Sequence, residues 1–263
     1  VEFSAFSGFW KYDRSNKQLS RLRDVEPSNQ KGEKQDSRRQ RGNSRNNRAS
    51  HQGRKSPNGK WVAFVKDHEL YVRSADAEDA NAVKLGNAAP DDDWYSDRHI
   101  SWSPDSKKVV ALRTRQGQRH DVSFVESSPK DQLQPKLHTH QYLKPGDRIP
   151  QSIPHLFDVK SKKEITLDNE LFANPWMSAP GVEWASDSRR FFFTYNQRGH
   201  QVLRVISVDA DSGKAATIVD EQSKTFIDYA YKKYLRILHE TNELIWMSER
   251  DGWNHLYLYN LST

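Results

Sequence analysis

The stretch that decides the fold reads Ser248-Glu249-Arg250-Asp251-Gly252-Trp253-Asn254-His255-Leu256-Tyr257-Leu258-Tyr259-Asn260. The residues before it, Glu243 to Met247, are apolar enough for a buried strand, and His255 to Asn260 predicts a second strand rich in Leu and Tyr. Glu249 to Gly252 is predicted to turn, because an Asp side chain can bond nearby backbone and Gly tolerates positive φ. The stretch therefore predicts a β-hairpin.

The composition favours an all-β chain that has a core. The 263 residues include 8 Trp, 10 Tyr and 11 Phe, and large rings of this kind favour strands. The absence of cysteine excludes disulfides, thiolate nucleophiles and cysteine-based metal sites. No run of eighteen apolar residues occurs, so no membrane-spanning helix is predicted. Because Val1 is not an initiator methionine, we expect the sequence to be part of a longer product.

The net charge of +6 is concentrated in one segment. Residues 31–55 contain nine basic and two acidic side chains, so the rest of the chain is close to neutral. Residues 27–55 have Ala49 as their single apolar side chain apart from proline, which predicts a disordered Arg-rich arm. Such an arm could bind nucleic acid through counterion release. A solvated insertion is the favoured interpretation, because no aromatic residue is available to stack on bases.

Short turn motifs repeat along the chain and lead into apolar strands. They read Ser56-Pro57-Asn58-Gly59-Lys60, Ser103-Pro104-Asp105-Ser106-Lys107 and Ala185-Ser186-Asp187-Ser188-Arg189. Their starts lie 47 and 82 residues apart, and 82 is close to two periods of the about 40 to 45 residues typical of a four-stranded propeller blade. In each motif we expect the Asn or Asp side chain to bond nearby backbone while the next small residue relaxes the turn.

A second strand is predicted after each central strand. These strands are Glu69 to Arg73, Asp121 to Val125 and Gln201 to Val208, and a further blade is expected to begin near residue 144. Gly8 to Leu22 reads as strand, turn and strand, the form of a blade's outer hairpin. Ordinary β-sandwich strands are the alternative to this interpretation. Several copies with matching turn chemistry favour the propeller.

Three segments also resemble one known family. They are similar to propeller segments of dipeptidyl peptidase IV-type serine peptidases, in the prolyl oligopeptidase family. The three segments are Ser-Glu-Arg-Asp-Gly-Trp at 248–253, Trp102 to Lys107, and Tyr142-Leu143-Lys144-Pro145-Gly146. The third segment departs at Leu143 and Pro145 from the family's Tyr-Pro-Lys-Ala-Gly. The resemblance extends from Ser56 to Asn260, and more loosely over Phe9 to Leu22.

The resemblance implies an eight-bladed propeller that caps an α/β-hydrolase domain and limits access to small peptides. In that family the catalytic Ser, Asp and His lie in the C-terminal hydrolase domain. The residues agree that this chain holds no catalytic site, because no two of its twelve glycines are four positions apart, as a Gly-x-Ser-x-Gly nucleophile elbow requires. The resemblance further implies a peptide substrate, a homodimer, and a periplasmic or secreted location.

The resemblance also bears on how the substrate is held. Dipeptidyl-releasing members hold the substrate's amino terminus with paired glutamates on a short helix, since two carboxylates suit an ammonium ion. This chain has no adjacent glutamate pair. Where one is expected, it has Asp91, Asp92 and Asp93, followed by Arg98. These four residues are the substrate-binding candidates, and a solvated acidic loop is the alternative.

Metal and cofactor signals are weak. His138 and His140 lie on one face of a strand with a spacing compatible with zinc, but no third ligand is identifiable, so exposed loop histidines are the favoured interpretation. We predict no metal and no cofactor.

The sequence thus predicts an all-β chain that forms part of a ring of four-stranded antiparallel blades. Residues 1–26 are assigned to the outer strands of a first blade, 27–55 to the disordered basic arm and 56–263 to the propeller blades. The predicted function is to gate and orient peptides for a serine-type dipeptidyl aminopeptidase domain absent from this chain. The alternative is a non-catalytic scaffold that binds other proteins.

Overall fold

The computed structural model describes residues 2–5, 8–13, 16, 18–24, 53–87, 93–176 and 180–262. These residues form antiparallel sheets, and two 3-10 turns, at Asp79–Asn81 and Glu170–Phe172, are the helical elements among them. The predicted all-β class is therefore confirmed. The chain divides into a unit at 1–47 and a unit at 48–263. No helix in the described segments has the length and apolar character that crossing a bilayer requires.

The first unit contains a three-stranded antiparallel sheet. Its strands are β1 (Glu2–Ala5), β2 (Gly8–Asp13) and β3 (Gln18–Asp24), in that order. Asp13 pairs with Gln18 across the connection between β2 and β3, and the Asn16 side chain accepts the Gln18 N–H at 3.2 Å. The predicted strand, turn and strand of this region are confirmed.

The second unit contains the remaining strands of the described chain. In order they are β4 (Arg54–Lys55), β5 (Trp61–Lys66), β6 (Glu69–Ser74), β7 (Val83–Lys84), β8 (Asp93–Trp102), β9 (Lys108–Arg115), β10 (Asp121–Glu126), β11 (Lys136–Gln141), β12 (Gln151–Asp158), β13 (Lys163–Ile165), β14 (Val182–Trp184), β15 (Arg190–Asn196), β16 (Val202–Asp209), β17 (Ala215–Gln222), β18 (Leu235–Leu238), β19 (Glu243–Ser248) and β20 (His255–Asn260). Sheet I has the order β4-β5-β6-β7, sheet II β8-β9-β12-β13, sheet III β14-β15-β16-β17 and sheet IV β18-β19-β20. Strands β10 and β11 pair only with each other within the described residues.

Consecutive sheets pack face to face in chain order. The alternation of a strand directs successive side chains to opposite faces, so one strand can supply two cores. On β9, Val109 and Ala111 pack toward sheet I, whereas Val110 packs toward sheet III. On β15, Phe191 and Phe193 pack toward sheet II, whereas Phe192 packs toward sheet IV. Sheets II and III are therefore buried on both faces. Whether the sheets surround a common axis stays a prediction.

The three repeated turns adopt the predicted geometry. In each, an Oδ1 atom accepts the backbone N–H two residues later, at 3.0 to 3.1 Å: Asn58 from Lys60, Asp105 from Lys107 and Asp187 from Arg189. The residue after each Asn or Asp has a positive φ, namely Gly59, Ser106 and Ser188. The predicted roles of the side chain and of the small residue are confirmed.

Two of these small residues also connect neighbouring sheets. The Ser106 hydroxyl accepts the N–H of Asn58 at 3.0 Å, and the Ser188 hydroxyl accepts the N–H of Asp105 at 3.0 Å. The turns of sheets I and II are thereby each hydrogen-bonded to the turn of the next sheet. The sequence analysis assigned these serines only the relaxation of the turn.

Sheet II departs from the predicted strand assignment. The segment from Asp121 to Val125 is predicted to be the second strand of a blade, but it forms β10 and pairs with β11. The strand beside β9 is instead β12, and Phe157 on β12 lies opposite Val109 on β9. The further blade expected near residue 144 is therefore wrong, because β12 and β13 complete sheet II. The reason is burial: β12 supplies Phe157 to the core with sheet I and Leu156 to the core with sheet III, whereas the side chains of β10 and β11 are mostly exposed.

The predicted arm partly coincides with described residues. Its residues 27–52 lie outside the described part of the chain, so their predicted disorder stays a prediction. Arg54 and Lys55, placed at the end of the arm by composition, form β4 and pair with Ala63 and Val62. The Trp102 indole N–H donates to the Arg54 carbonyl at 2.8 Å. This tertiary contact explains how two exposed cationic residues join a sheet.

We expect the Ser188→Ala variant to unfold with a free energy about 1 to 2 kcal/mol lower than that of the parent chain, because the Asp105 N–H loses its acceptor. Urea denaturation measures the difference. Glycine adopts the positive φ of this position without steric cost but has no hydroxyl group, so the Ser188→Gly variant should also be less stable than the parent chain. Ser127→Ala, at an exposed serine, is the control and should change the value by less than about 0.5 kcal/mol. An unchanged stability of both Ser188 variants would disprove the role of this bond.

Candidate functional site

A cavity of about 180 Å³ lies where sheet III meets sheet IV. We call it the Glu221 cavity, after its buried carboxylate. Most of its lining comes from the end of β17, from the segment between β17 and β18, and from the end of β19 with the turn that follows it. The lining residues are Leu203, Glu221, Gln222, Ser223, Phe226, Ile227, Asp228, Lys232, Trp246, Met247, Ser248, Glu249 and Arg250.

The hairpin has the predicted form. Strands β19 and β20 pair with Ser248 opposite His255. In the turn, the Gly252 N–H donates to the Glu249 carbonyl at 2.9 Å, and Gly252 has a φ of 94°. This conformation is one that glycine adopts without steric cost. The turn places the side chains of Ser248, Glu249 and Arg250 at the cavity.

Glu221 is held by donors from the neighbouring sheet. Its Oε2 accepts the Trp246 indole N–H at 2.6 Å, and its Oε1 accepts the Ser248 hydroxyl at 2.5 Å. The side chain of Glu221 is buried, and a buried carboxylate is costly unless it is hydrogen-bonded. Because Glu221 lies on β17 and its donors lie on β19, these bonds also connect sheets III and IV.

Arg250 lies beside Glu221 and is fixed on two sides. Its Nε donates to the Ser248 hydroxyl at 3.1 Å, and its Nη2 lies 3.5 Å from Glu221 Oε2. The guanidinium carbon lies 4.4 Å from the centre of the Tyr257 ring, a distance typical of cation–π contacts. The hairpin and the carboxylate together determine the orientation of this guanidinium.

The remaining charged groups of the lining are partly engaged. Lys232 Nζ lies 2.7 Å from Glu249 Oε1, and this hydrogen bond raises the pKa of Lys232. Asp228 accepts the backbone N–H groups of Ala230 and Tyr231. With Glu221 and Arg250 included, the lining has three carboxylates and two cations. It therefore carries a formal excess of one negative charge.

An aromatic group forms the apolar side of the cavity. Phe226 is 56% exposed, and its ring centre lies 5.6 Å from that of His200. His200 stacks on Tyr229 at 4.3 Å and meets Trp176 edge-on at 4.7 Å. Burial lowers the pKa of His200, which favours the neutral form of its ring. Phe226 is thus supported from behind while its other surface remains accessible.

Of the four predicted substrate-binding residues, the structure describes Asp93 and Arg98, and neither lines the Glu221 cavity. Asp91 and Asp92 are outside the described residues. Asp93 begins β8, and its buried carboxylate lies 3.3 Å from Arg113 Nε and 3.8 Å from Arg115 Nε. Arg98 is exposed, in the part of β8 where the register with β9 shifts, and no ion pair joins it to Asp93 in the described structure. The assignment of these four residues to substrate binding stays a prediction.

Sequence reasoning quoted Ser248 and Arg250 in the hairpin but missed Glu221 and Phe226. The strand pattern carried a signal for Glu221: alternation along β17 places it on the same face as Val219, which is fully buried. An acid on a buried face is a candidate functional group. Phe226 lies outside any strand, so no periodicity pointed to it.

The cavity offers recognition chemistry rather than a nucleophile. The Ser248 hydroxyl donates to a carboxylate, and among the described residues no histidine hydrogen-bonds to it. His138 and His140 lie on β11 rather than in a loop, where His138 pairs with Glu126 at 2.8 Å. In the described segments, no three His, Asp or Glu side chains are grouped as metal ligands would be.

Known proteins of similar sequence identify the family to which this chain is related. A family model described as the dipeptidyl peptidase IV (DPP IV) N-terminal region matches residues 2–263. A Phaeosphaeria nodorum protein named "Probable dipeptidyl-aminopeptidase B" is 24% identical over 190 residues, which cover 63% of this chain and 20% of that protein. A protein of the same name from Talaromyces stipitatus is 26% identical over 178 residues, with 60% and 20% covered.

A solved structure supports the same fold. The crystal structure of Porphyromonas gingivalis dipeptidyl peptidase 4 superposes with a TM-score of 0.60 at 17% identity, over 98% of this chain and 35% of that one. The chain spans about a fifth of the length of the curated relatives it matches. On the family match over nearly its whole length, the chain belongs to the dipeptidyl peptidase IV N-terminal region family.

Proposed function

We propose that the chain is the β-propeller part of a dipeptidyl peptidase IV-like serine peptidase, where it limits access and orients peptides for a hydrolase domain of the same parent chain. The observation that carries this proposal is the family match over residues 2–263. The relatives are named as dipeptidyl aminopeptidases and are much longer than this chain. Bond cleavage is therefore assigned to the rest of the parent.

The packing of the sheets supports the propeller. Blades of a propeller follow one another in chain order, and each buries its faces against its two neighbours. Sheets I to IV follow this rule as far as they extend. The face of sheet IV opposite sheet III is also apolar, with Leu256 and Leu258 about 60% exposed and paired with Met247 and Ile245. A further sheet of the parent is proposed to cover this face.

We expect the full-length parent to release 4-nitroaniline from dipeptide 4-nitroanilides that have a free amino group, and to be labelled by a fluorophosphonate serine probe. The Leu256→Asp/Leu258→Asp variant should lose roughly tenfold or more of this activity, since two buried charges would disrupt packing on sheet IV. Leu133→Asp, at a 93% exposed leucine, is the control. A parent that neither releases 4-nitroaniline nor reacts with the probe would reject the peptidase and favour the protein-binding scaffold.

The acidic segment remains our proposed contact for the substrate's amino terminus. Asp93 is engaged by two arginines, so Asp91 and Asp92 are the carboxylates proposed to meet the ammonium group.

In the parent enzyme, we expect Asp91→Asn/Asp92→Asn to raise KM for a dipeptide 4-nitroanilide roughly fivefold, because each carboxylate contributes a charge-assisted hydrogen bond. The kcat should change little, since the ammonium group lies away from the scissile bond. Asp76→Asn/Glu78→Gln, at two exposed acids, is the matched control. Unchanged KM in the first variant would exclude the segment.

A homodimer is also proposed, with the β10–β11 hairpin as its contact. Val125 and Leu137 on this hairpin are 61% and 70% exposed, and they pair with each other on one face. Adjacent exposed apolar side chains of this kind are typical of protein interfaces.

Sedimentation velocity should show a dimer of the 263-residue chain, and Val125→Lys/Leu137→Lys should shift it to the monomer, because like charges would face each other across the contact. Val83→Lys, at a 48% exposed valine of sheet I outside the hairpin, should leave the dimer intact. A monomeric unsubstituted chain, or a dimeric double variant, would contradict this contact.

A further inference from the structure

We propose that the Glu221 cavity is a binding subsite for a peptide, in which Arg250 donates to a backbone carbonyl and Phe226 packs against an apolar side chain of that peptide. This inference rests on the proposed function, since it names what the propeller would orient. It assigns recognition to residues that the sequence analysis did not propose for substrate binding. Four observations support it, and they concern donors, charge, apolar surface and orientation.

The first observation is that some N–H groups of the Arg250 guanidinium are not used in hydrogen bonds to the described residues. A guanidinium presents several N–H groups in a fixed plane. Nε is used by Ser248, and Nη2 faces Glu221 at 3.5 Å, beyond a strong hydrogen bond. Nη1 has no hydrogen-bond acceptor among the described residues. Arg250 is 38% exposed and lines the cavity, so a ligand can approach the remaining N–H groups.

The second observation is the charge of the lining, which selects the acceptor. Glu221 already compensates Arg250, and Lys232 is paired with Glu249. With Asp228 added, the lining has a formal excess of one negative charge. An incoming carboxylate would meet this excess in a partly desolvated space, where repulsion is strong. A neutral acceptor such as a peptide carbonyl avoids that repulsion and still receives a charge-assisted hydrogen bond.

The third observation is the accessible aromatic surface beside the arginine. Phe226 is 56% exposed although its ring is supported by His200 and Tyr229. Ile227 is a partly exposed residue of the same lining. A fixed aromatic ring together with an arginine is typical of the residues that dominate binding energy at interfaces. An apolar side chain of a peptide would remove this surface from water.

The fourth observation is that Glu221 acts through Arg250. Its carboxylate is buried and accepts bonds from Trp246 and Ser248, so it does not itself reach a ligand. Ser248 bonds both Glu221 and Arg250, which couples the orientation of the guanidinium to the carboxylate. Glu221 is therefore a positioning residue that also sets the preference for a neutral acceptor.

The test is a titration of the ¹⁵N-labelled 263-residue chain with acetyl-phenylalanine N-methylamide, followed by NMR. The Trp246 indole N–H is the reporter, because it lies on the cavity and is bonded to Glu221. We expect a saturable shift of this signal. Arg250→Lys should weaken binding about fivefold and Phe226→Ala roughly tenfold, since each removes one of the two main contacts. Arg236→Lys and Leu22→Ala, at an exposed arginine and an exposed apolar residue outside the cavity, should bind like the unsubstituted chain.

A second probe separates the two kinds of acceptor. Acetyl-phenylalanine, which ends in a carboxylate, should bind the unsubstituted chain more weakly than the amide does. In Glu221→Gln the charge is lost, while the amide oxygen can still accept from the Trp246 indole and the amide N–H can donate to the Ser248 hydroxyl oxygen, so the order of the two probes should reverse. A merely structural role of Glu221 would weaken both probes equally and would refute this part of the proposal.

Several results would overturn the subsite. They are the absence of a saturable Trp246 shift, equal effects of the control and site variants, or tighter binding of the carboxylate to the unsubstituted chain. An active parent peptidase without probe binding here would reject the subsite and leave the proposed function standing. Probe binding with an inactive parent would support the subsite and reject the proposed peptidase function.

Discussion

The structure of the second unit depends on sheets that are apolar on both faces. A sheet with one apolar face is satisfied by a single partner, whereas sheets II and III require a neighbour on each side. The alternation of Val109, Val110 and Ala111, and that of the three phenylalanines at 191–193, supplies these two faces from single strands. Serial packing follows, because the sheet that comes next along the chain is the nearest available surface.

Polar contacts then determine how neighbouring sheets align. The hydroxyl groups of Ser106 and Ser188 join successive turns, and Glu221 joins sheet III to the indole and hydroxyl donors of sheet IV. Apolar packing tolerates small sliding movements, whereas hydrogen bonds of fixed length do not. The cavity lies at one such bonded junction. Its arginine and its aromatic ring are consequently presented in a defined geometry.

Local patterns in the sequence were enough for the hairpin at 243–260 and for the three turns, because the residues that form them are neighbours in the chain. The strand order of sheet II was not accessible in this way. The sequence of β10 alternates between polar and apolar residues as an inner strand would, so it does not distinguish β10 from β12. The difference is burial: the side chains of β10 are mostly exposed, whereas alternate side chains of β12 are buried. Glu221 was missed for a related reason: its donors, Trp246 and Ser248, lie in another sheet, so the site exists only after the sheets have packed.

The insertion of the β10–β11 hairpin between β9 and β12 bears on the order in which the protein folds. Strand pairs such as β5–β6 and β19–β20 join residues close in sequence and can form early. In sheet II, Lys108 has to pair with Asp158 across an intervening segment. Closing this loop costs chain entropy before the strand pairing contributes any stabilising free energy. Sheets I and III both rely on sheet II for a buried face, so their apolar surfaces stay exposed until that closure occurs. Nascent chains therefore depend on the speed of this one long-range pairing to avoid association through unfinished sheets.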